Sequence, residues 1–273
     1  MRSVQPEVFL VARPAIDYDQ MAAYLREVGG ENWLERLDRG ELAGGQQAGG
    51  QQASDAENLA EFAGKMCYRA WEPGLNPNVR RVRNDHETYL RNILKQAHGS
   101  VLEHASFTFV LHNVSRVFTH ELVRHRPGTA VSQESLRFVR LDDIPFWFPD
   151  WARQDAELMK RATALLDQME EFQRWMADHF GLDEDGVPFH EKKHKTSFMR
   201  RLAPDGVATG IVWTANIRTL RHTIEARTDP GAEEEIRLVF GKIAELMRAE
   251  APALFGDYEV TGDGAWLPQW RKV

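Results

Sequence analysis

Four short runs limit the fold class. Residues 8–12 (VFLVA), 105–111 (ASFTFVL), 136–141 (LRFVRL) and 207–214 (VATGIVWT) are rich in Val, Leu, Thr and aromatic residues, types that suit a pleated, half-buried surface. Longer stretches with helical spacing separate them, and the interval between residues 12 and 105 holds several such stretches. A doubly wound sheet needs strand and helix to alternate regularly. The pattern here predicts an α+β fold, a mixed or antiparallel sheet flanked by long helices.

The helical stretches differ in what they bury. Residues 18–28 and 57–68 read as helices. After Asn84, with Glu87 three residues on as a start signal, Tyr89, Leu90, Ile93, Leu94 and Ala97 make one apolar face. Val114, Val117, Phe118, Leu122 and Val123 repeat at helical spacing, which predicts a helix delivering Arg124, His125 and Arg126 at its C-terminal end, where cations are favoured. Residues 151–180 predict one long helix. Its stripe of Leu158, Ala162, Leu165, Met169, Phe172 and Met176 has the narrowness of a helix packing on another helix, within or across subunits. Residues 190–203 predict a short basic helix. Residues 216–227 predict a polar one on which Arg218 and His222 share a face, and 233–250 one that buries Ile236, Val239, Phe240, Ile243 and Met247. The tail with Trp266 and Trp270 carries no clear pattern. Residues 40–52 (GELAGGQQAGGQQ) are low in complexity and cannot pack a core. They read as a surface insertion in a single domain spanning residues 1–273.

Chemistry concentrates in residues 113–140. Three cations in a row, Arg124-His125-Arg126, repel one another unless an anion lies between them. Arginine offers a planar fork suited to phosphate, and histidine adds a ring that can stack or share a proton. Ser132, Gln133, Glu134, Ser135 and Arg137 follow, short or forked groups of the kind that read a sugar, a phosphate or a base edge. The net charge of the chain is -7, so this cluster is local, and bulk attraction to nucleic acid or to an anionic membrane is not expected. The one cysteine, Cys67, excludes an intrachain disulfide and a cysteine-based zinc site. Its apolar neighbours predict a buried, inert thiol, and its scarcity fits a reducing cytoplasm. No apolar run approaches a bilayer span, and the first residues lack the apolar core of a secretory signal. A cytoplasmic protein is expected.

Several chemistries fall away on spacing. His120 and His125 are five apart, about 500° around a helix, so they do not share a face as zinc-binding histidines four apart do. Flanking arginines oppose a dication as well, and no metal site is expected. Ser132 and Ser135 lack a G-x-S-x-G elbow. There is no G-x-G-x-x-G and no P-loop, so a nucleotide cofactor would be held by arginines, histidines and loops, as Arg124 to Arg126 and Asn216 to Arg218 allow.

Taken in order, His98-x-Ser100-x-x-Glu103-His104, Thr119-His120-Glu121-Leu122-Val123-Arg124-His125-Arg126, Ser132-Gln133-x-Ser135-x-Arg137 and Asn216-x-Arg218-x-x-x-His222-x-x-x-x-Arg227 resemble the flavin-dependent thymidylate synthases (ThyX) over residues 8–258. The resemblance implies an α+β subunit of a homotetramer with active sites shared between subunits. It implies methylation of dUMP to dTMP with FAD, methylenetetrahydrofolate as carbon donor and NADPH as reductant. Carried over by position, Ser100, Arg124, His125, Arg126, Gln133, Asn216, Arg218 and His222 would hold FAD. Glu121, Arg124, Gln133, Glu134, Ser135, Leu136, Arg137 and Arg200 would hold dUMP. Arg227 would sit against the uracil as the catalytic residue, stabilising negative charge as N3 loses its proton. No enzyme nucleophile is needed in that family, in keeping with the absence of a credible catalytic cysteine. Three positions depart from the family pattern. Eight residues, 127–134, separate the cationic triplet from Ser135, where the family usually has seven. Ala70 stands where many members have a serine, and Pro230-Gly231 replaces a histidine-bearing turn. Two other readings therefore stay open: flavin-dependent modification of another pyrimidine nucleotide at C5, and a nucleotide-binding homologue without turnover.

Overall fold

The computed structural model describes residues 1–38, 53–79 and 81–273; the low-complexity segment at 40–52 lies outside them. The chain enters through β1 (Arg2–Ser3) and β2 (Glu7–Ala12), then α1 (Tyr18–Val28) and α2 (Glu31–Asp38). Asp17 caps α1 by accepting from the Gln20 amide, and Gly29 ends it at φ 74°, the left-handed conformation that glycine adopts without strain. In α3 (Asp55–Tyr68), Ser54 and Glu57 form a reciprocal capping box. Helix α4 (His86–Lys95) starts one residue later than its sequence signal, because Asp85 rather than Asn84 accepts from the Thr88 amide. It also ends early: Ala97 has φ 57° and is exposed, not part of the apolar face.

The central sheet has the order β2–β3–β6–β4 and is antiparallel throughout. Its long members are β3 (Ser106–Ser115) and β6 (Ala208–Asn216), with β4 (Thr129–Gln133) on one edge. Alternation decides its faces. Phe107, Phe109 and Leu111 on β3 and Ile211, Trp213 and Ala215 on β6 point into the main core. They meet α9 (Ile217–Thr228) and α10 (Glu234–Glu250), whose Ile224, Ile236, Val239, Phe240, Ile243 and Met247 are all fully buried. Each such side chain contributes roughly 1.5–3 kcal/mol of transfer free energy. The fold is α+β, as the strand and helix pattern predicted.

Several sequence expectations are corrected. Val114 belongs to β3, paired with Thr209 beyond an irregularity after Leu111. Helix α5 is only Arg116–Leu122, so Arg124, His125 and Arg126 stand in the turn after it; Pro127 disfavours helix at the residue before it. Val117 and Val123 are exposed. Residues 136–141 form no strand: the amides of Phe138 and Val139 turn back to the Ser135 carbonyl, and Leu136 and Leu141 pack a second core with Ile144, Phe148, Leu166 and Val207. The strand lies earlier, at β4. After β5 (Pro145–Phe146), the expected long helix is broken into α6 (Asp150–Arg153) and α7 (Ala156–His179) by Asp155, which caps α7 through the Leu158 amide. The buried face of α7 is Leu166, Glu170, Gln173 and Met176, so Leu158, Leu165 and Phe172 are left exposed. The basic helix is α8 (Phe189–Met199), continued by a 3-10 turn over Arg200–Leu202. Cys67 is exposed, not buried. The tail, unassigned from sequence, follows α11 (Pro252–Phe255) as a hairpin of β7 (Tyr258–Val260) and β8 (Trp266–Pro268).

Candidate functional site

Two segments far apart in sequence meet where β6 passes into α9. Residues Arg124, His125, Pro127 and Gly128 from the turn after α5 face Asn216, Arg218, Thr219 and His222 from α9. Together with Glu103 and Val273 they line a cavity of about 350 Å³. The helical spacing predicted for Arg218 and His222 brings both side chains to the same wall. Asn216 is the N-cap: its Oδ1 accepts from the Thr219 amide at 2.9 Å, which leaves the side-chain NH2 as a donor toward Gly128.

Arg218 pairs with Glu103 at 2.5 Å, and a Cβ on Gly99 would lie 2.6 Å from its Nε. The half-exposed guanidinium is thus paired with Glu103 and lies close over Gly99. Arg124 Nε donates to the His120 carbonyl at 3.3 Å.

Beyond His222, Arg227 joins the same cluster. Its Nε donates to His125 Nε2 at 2.7 Å and its Nη1 to Glu121 Oε2 at 2.7 Å, with a third bond from Nη2 to the Glu121 carbonyl. Burial, then the charge of Arg227 and the nearby His222, push the His125 imidazole down to about 4. It is neutral near pH 7. With Nε2 accepting, the ring proton lies on Nδ1. The His222 ring meets it edge-on at a centroid distance of 5.8 Å.

The remaining sequence candidates lie elsewhere. Ser100 is exposed on the 3-10 turn Gly99–Glu103, and Arg126 is exposed and does not line the cavity. Gln133 ends β4, and Glu134, Ser135, Leu136 and Arg137 follow it at the end far from Gly128, roughly 20 Å of extended chain away. Glu134 is fastened to β6, accepting from the Gly210 amide at 2.9 Å. Leu136 has its side chain in the second core, so only its backbone can reach a ligand. Arg200 ends α8 and is exposed. Among the described residues no hydrogen bond or ion pair links Gln133, Glu134, Ser135, Arg137 or Arg200 to Glu121, Arg124 or Arg227. Two buried donors in this second group, Gln133 Nε2 and Arg137 Nε, have no partner, and such atoms are costly to leave unbonded.

Glu103, Pro127, Gly128, Thr219 and Val273 were not singled out as ligand contacts by sequence. Glu103 stood in a quoted motif, and Pro127 and Gly128 in the stretch 127–134 that departs in length from the family pattern; nothing local marks Thr219 or Val273. Among the described residues no group of three or more His, Cys, Asp or Glu is placed to hold a metal ion, and no helix is long and apolar enough to cross a membrane.

The family model described as "Thymidylate synthase complementing protein" matches residues 51–253. The flavin-dependent thymidylate synthase of Mycobacteroides abscessus is 36% identical over 212 residues, which cover 74% of this chain and 79% of that protein. The protein of the same name from Corynebacterium diphtheriae is 34% identical over 218 residues, 78% of this chain and 84% of its own. Among solved structures, the UMP/dUMP methylase PolB from Streptomyces cacaoi with 5-Br dUMP superposes with a TM-score of 0.61 at 18% identity, covering 97% of this chain and 100% of that one. The same protein with 5-Br UMP gives 0.58 at 14%, covering 94% and 95%. At those identities the likeness concerns the fold alone. The family model's match over residues 51–253, together with relatives above 30% identity over most of their length, makes the chain a member of the flavin-dependent thymidylate synthase family.

Proposed function

We propose that the chain, acting as one catalytic unit over residues 1–273, methylates dUMP to dTMP. The carbon comes from methylenetetrahydrofolate and the reducing electrons from NADPH by way of FAD. One observation carries this reading: the cavity where Arg124 to Gly128 meet Asn216 to His222 is rich in donors, with Glu103, paired to Arg218, as the carboxylate in its wall. Two guanidiniums, the Asn216 amide NH2 and the His125 Nδ1–H suit an anionic, acceptor-rich ligand such as a dinucleotide. These residues fit FAD, and Arg124, His125, Asn216, Arg218 and His222 would hold it. Held there, reduced flavin would supply the hydride that completes the methyl group, and the exposed Cys67 would need no role.

The nucleotide would lie against Glu121, Arg124 and Arg227 on one side. On the other would be Gln133, Glu134, Ser135, the Leu136 backbone, Arg137 and Arg200. The partnerless Gln133 Nε2 and Arg137 Nε are donors suited to its phosphate and base oxygens. Arg227 would stabilise charge on the uracil as N3 loses its proton.

The separation of the two groups along β4 supports a homotetramer in which one copy brings the cavity and another the Ser135–Arg137 segment. Ser100, Arg126 and Gln133 would then meet FAD from a neighbouring copy. Exposed apolar side chains on the same region, among them Phe138, Phe189 and Phe198, are of the kind a subunit contact covers. The reading also takes the protein to be cytoplasmic, with no nucleic-acid or membrane partner.

The test is direct. Purified protein should carry or take up FAD, seen as flavin absorbance, and should form dTMP from dUMP only with methylenetetrahydrofolate and NADPH. UMP run in parallel decides between dUMP and another pyrimidine nucleotide. Flavin uptake without turnover of either would reject the synthase reading.

A further inference from the structure

The turn at Pro127-Gly128, which opens the lengthened stretch 127–134, is fastened to α9 in a way that neither motif explains. Thr219 Oγ1 donates to the Pro127 carbonyl at 2.7 Å. The Asn216 backbone N–H donates to the Gly128 carbonyl at 3.1 Å. The turn is closed on itself by Thr129, whose hydroxyl bridges the carbonyls of His125 (2.9 Å) and Arg126 (3.1 Å). Gly128 sits between the two elements with φ +67°, and a Cβ there would lie 2.3 Å from Asn216 Nδ2 and 2.7 Å from Thr219 Oγ1. Any side chain at 128 is excluded twice, by conformation and by space.

We propose that Gly128 and Thr219 form a latch that positions the cavity wall for the cofactor. Thr219 fixes how far the turn stands from α9, and with it the placement of Arg124 and His125. Its amide holds Asn216 Oδ1, so the Asn216 NH2, not its oxygen, faces the cavity. A flip would set that NH2 against the Thr219 amide, donor on donor, and uncap the helix. The latch selects for an oxygen acceptor of the cofactor at this wall. Both are positioning residues. The inference rests on the flavin reading of the cavity.

The experiment compares wild type with Thr219→Val, Thr219→Ser and Gly128→Ala, reading the FAD dissociation constant by flavin fluorescence, the visible spectrum of bound FAD, and Tm. Loss of one hydroxyl bond should weaken FAD binding by about three- to tenfold in Thr219→Val, with Tm little changed, and Thr219→Ser should stay within about twofold of wild type. Gly128→Ala should weaken binding more and shift the flavin spectrum; if it fails to fold, the threonine pair decides. Equal FAD binding in wild type and Thr219→Val overturns the latch and leaves the flavin reading standing. So does a Tm loss in that variant large enough to explain the weaker binding, or a serine variant that does not recover. A wild-type protein that takes up no FAD overturns both.

Discussion

Arg227 holds an acid and an imidazole at once, and this sets the chemistry on either side of it. Its Nε–H on His125 Nε2 and its Nη1 on Glu121 leave the histidine neutral, with Nδ1–H as its donor. On the proposed reading the arrangement would couple the nucleotide side of the site to the cofactor side through one planar guanidinium. Lysine, with a compact charge and no fork, cannot reproduce both bonds. Arg227→Ala should therefore abolish dTMP formation while FAD is still bound, and near-normal turnover would refute the proposed role. The same variant has a signature independent of activity. Arg227 is one of the causes that hold the His125 imidazole at about 4, after burial. Removing its charge should raise that value toward, but not to, the ordinary range of about 6.5, because burial remains. An NMR titration of the His125 ring showing no upward movement would contradict the geometry.

Helix α5 places Glu121 and aims the cationic turn, yet it is short and cannot hold itself. Its N-terminus is held by Ser115, whose hydroxyl accepts from the Phe118 amide at 3.0 Å while its own N–H and hydroxyl both donate to Glu235 on α10. Burial pushes the Glu235 carboxyl up to about 7, against the two Ser115 bonds that favour the anion. A value raised above the unfolded one means that the folded protein prefers the protonated acid. This stabilisation is complete below about pH 4.5 and is lost as pH rises through about 7; over the whole window it is worth on the order of 3 kcal/mol. Glu235→Gln removes the titration. Relative to this variant, wild type should gain in Tm as pH falls from 8 to 5, and parallel Tm profiles for the two proteins would disprove it. The helices with strong periodicity, α1, α3 and α10, were legible in the sequence because their own apolar faces specify them. Helix α5 was legible in its existence but not in its bounds, since Val114 continues its apolar pattern while belonging to β3. Strand β4 was missed because TAVSQ on a sheet edge alternates weakly, whereas 136–141 looked like a strand but uses its apolar residues to fill the second core. The candidate site was legible as a set of residue types. Its latch was not, since Thr219, Gly128 and Pro127 matter through contacts that exist only once α9 and the turn have come together.

At the scale of the whole molecule, the separation along β4 becomes a statement about assembly. On the proposed chemistry cofactor and nucleotide must touch, while the cavity at Gly128 and the Ser135–Arg137 segment flank opposite ends of β4, roughly 20 Å apart along the chain. The strand is paired along its length with β6, so bringing its ends together would break the sheet. A second copy would meet the requirement without deforming either, in the isologous manner usual for symmetric oligomers. The prediction is complementation. Arg218→Ala and Arg137→Ala should each be inactive alone, the first for want of cofactor and the second for want of nucleotide. If each site takes Arg218 from one subunit and Arg137 from another, a mixed pair contains one site with both arginines intact and one with neither. Co-expressed or subunit-exchanged mixtures should therefore regain dTMP formation, whereas either variant mixed with itself should not. If both arginines served one site within a single chain, every site in the mixture would lack one of them and no activity would return. That result, obtained with mixed oligomers verified by differently tagged subunits, would remove the shared site and require the nucleotide to bind within one chain.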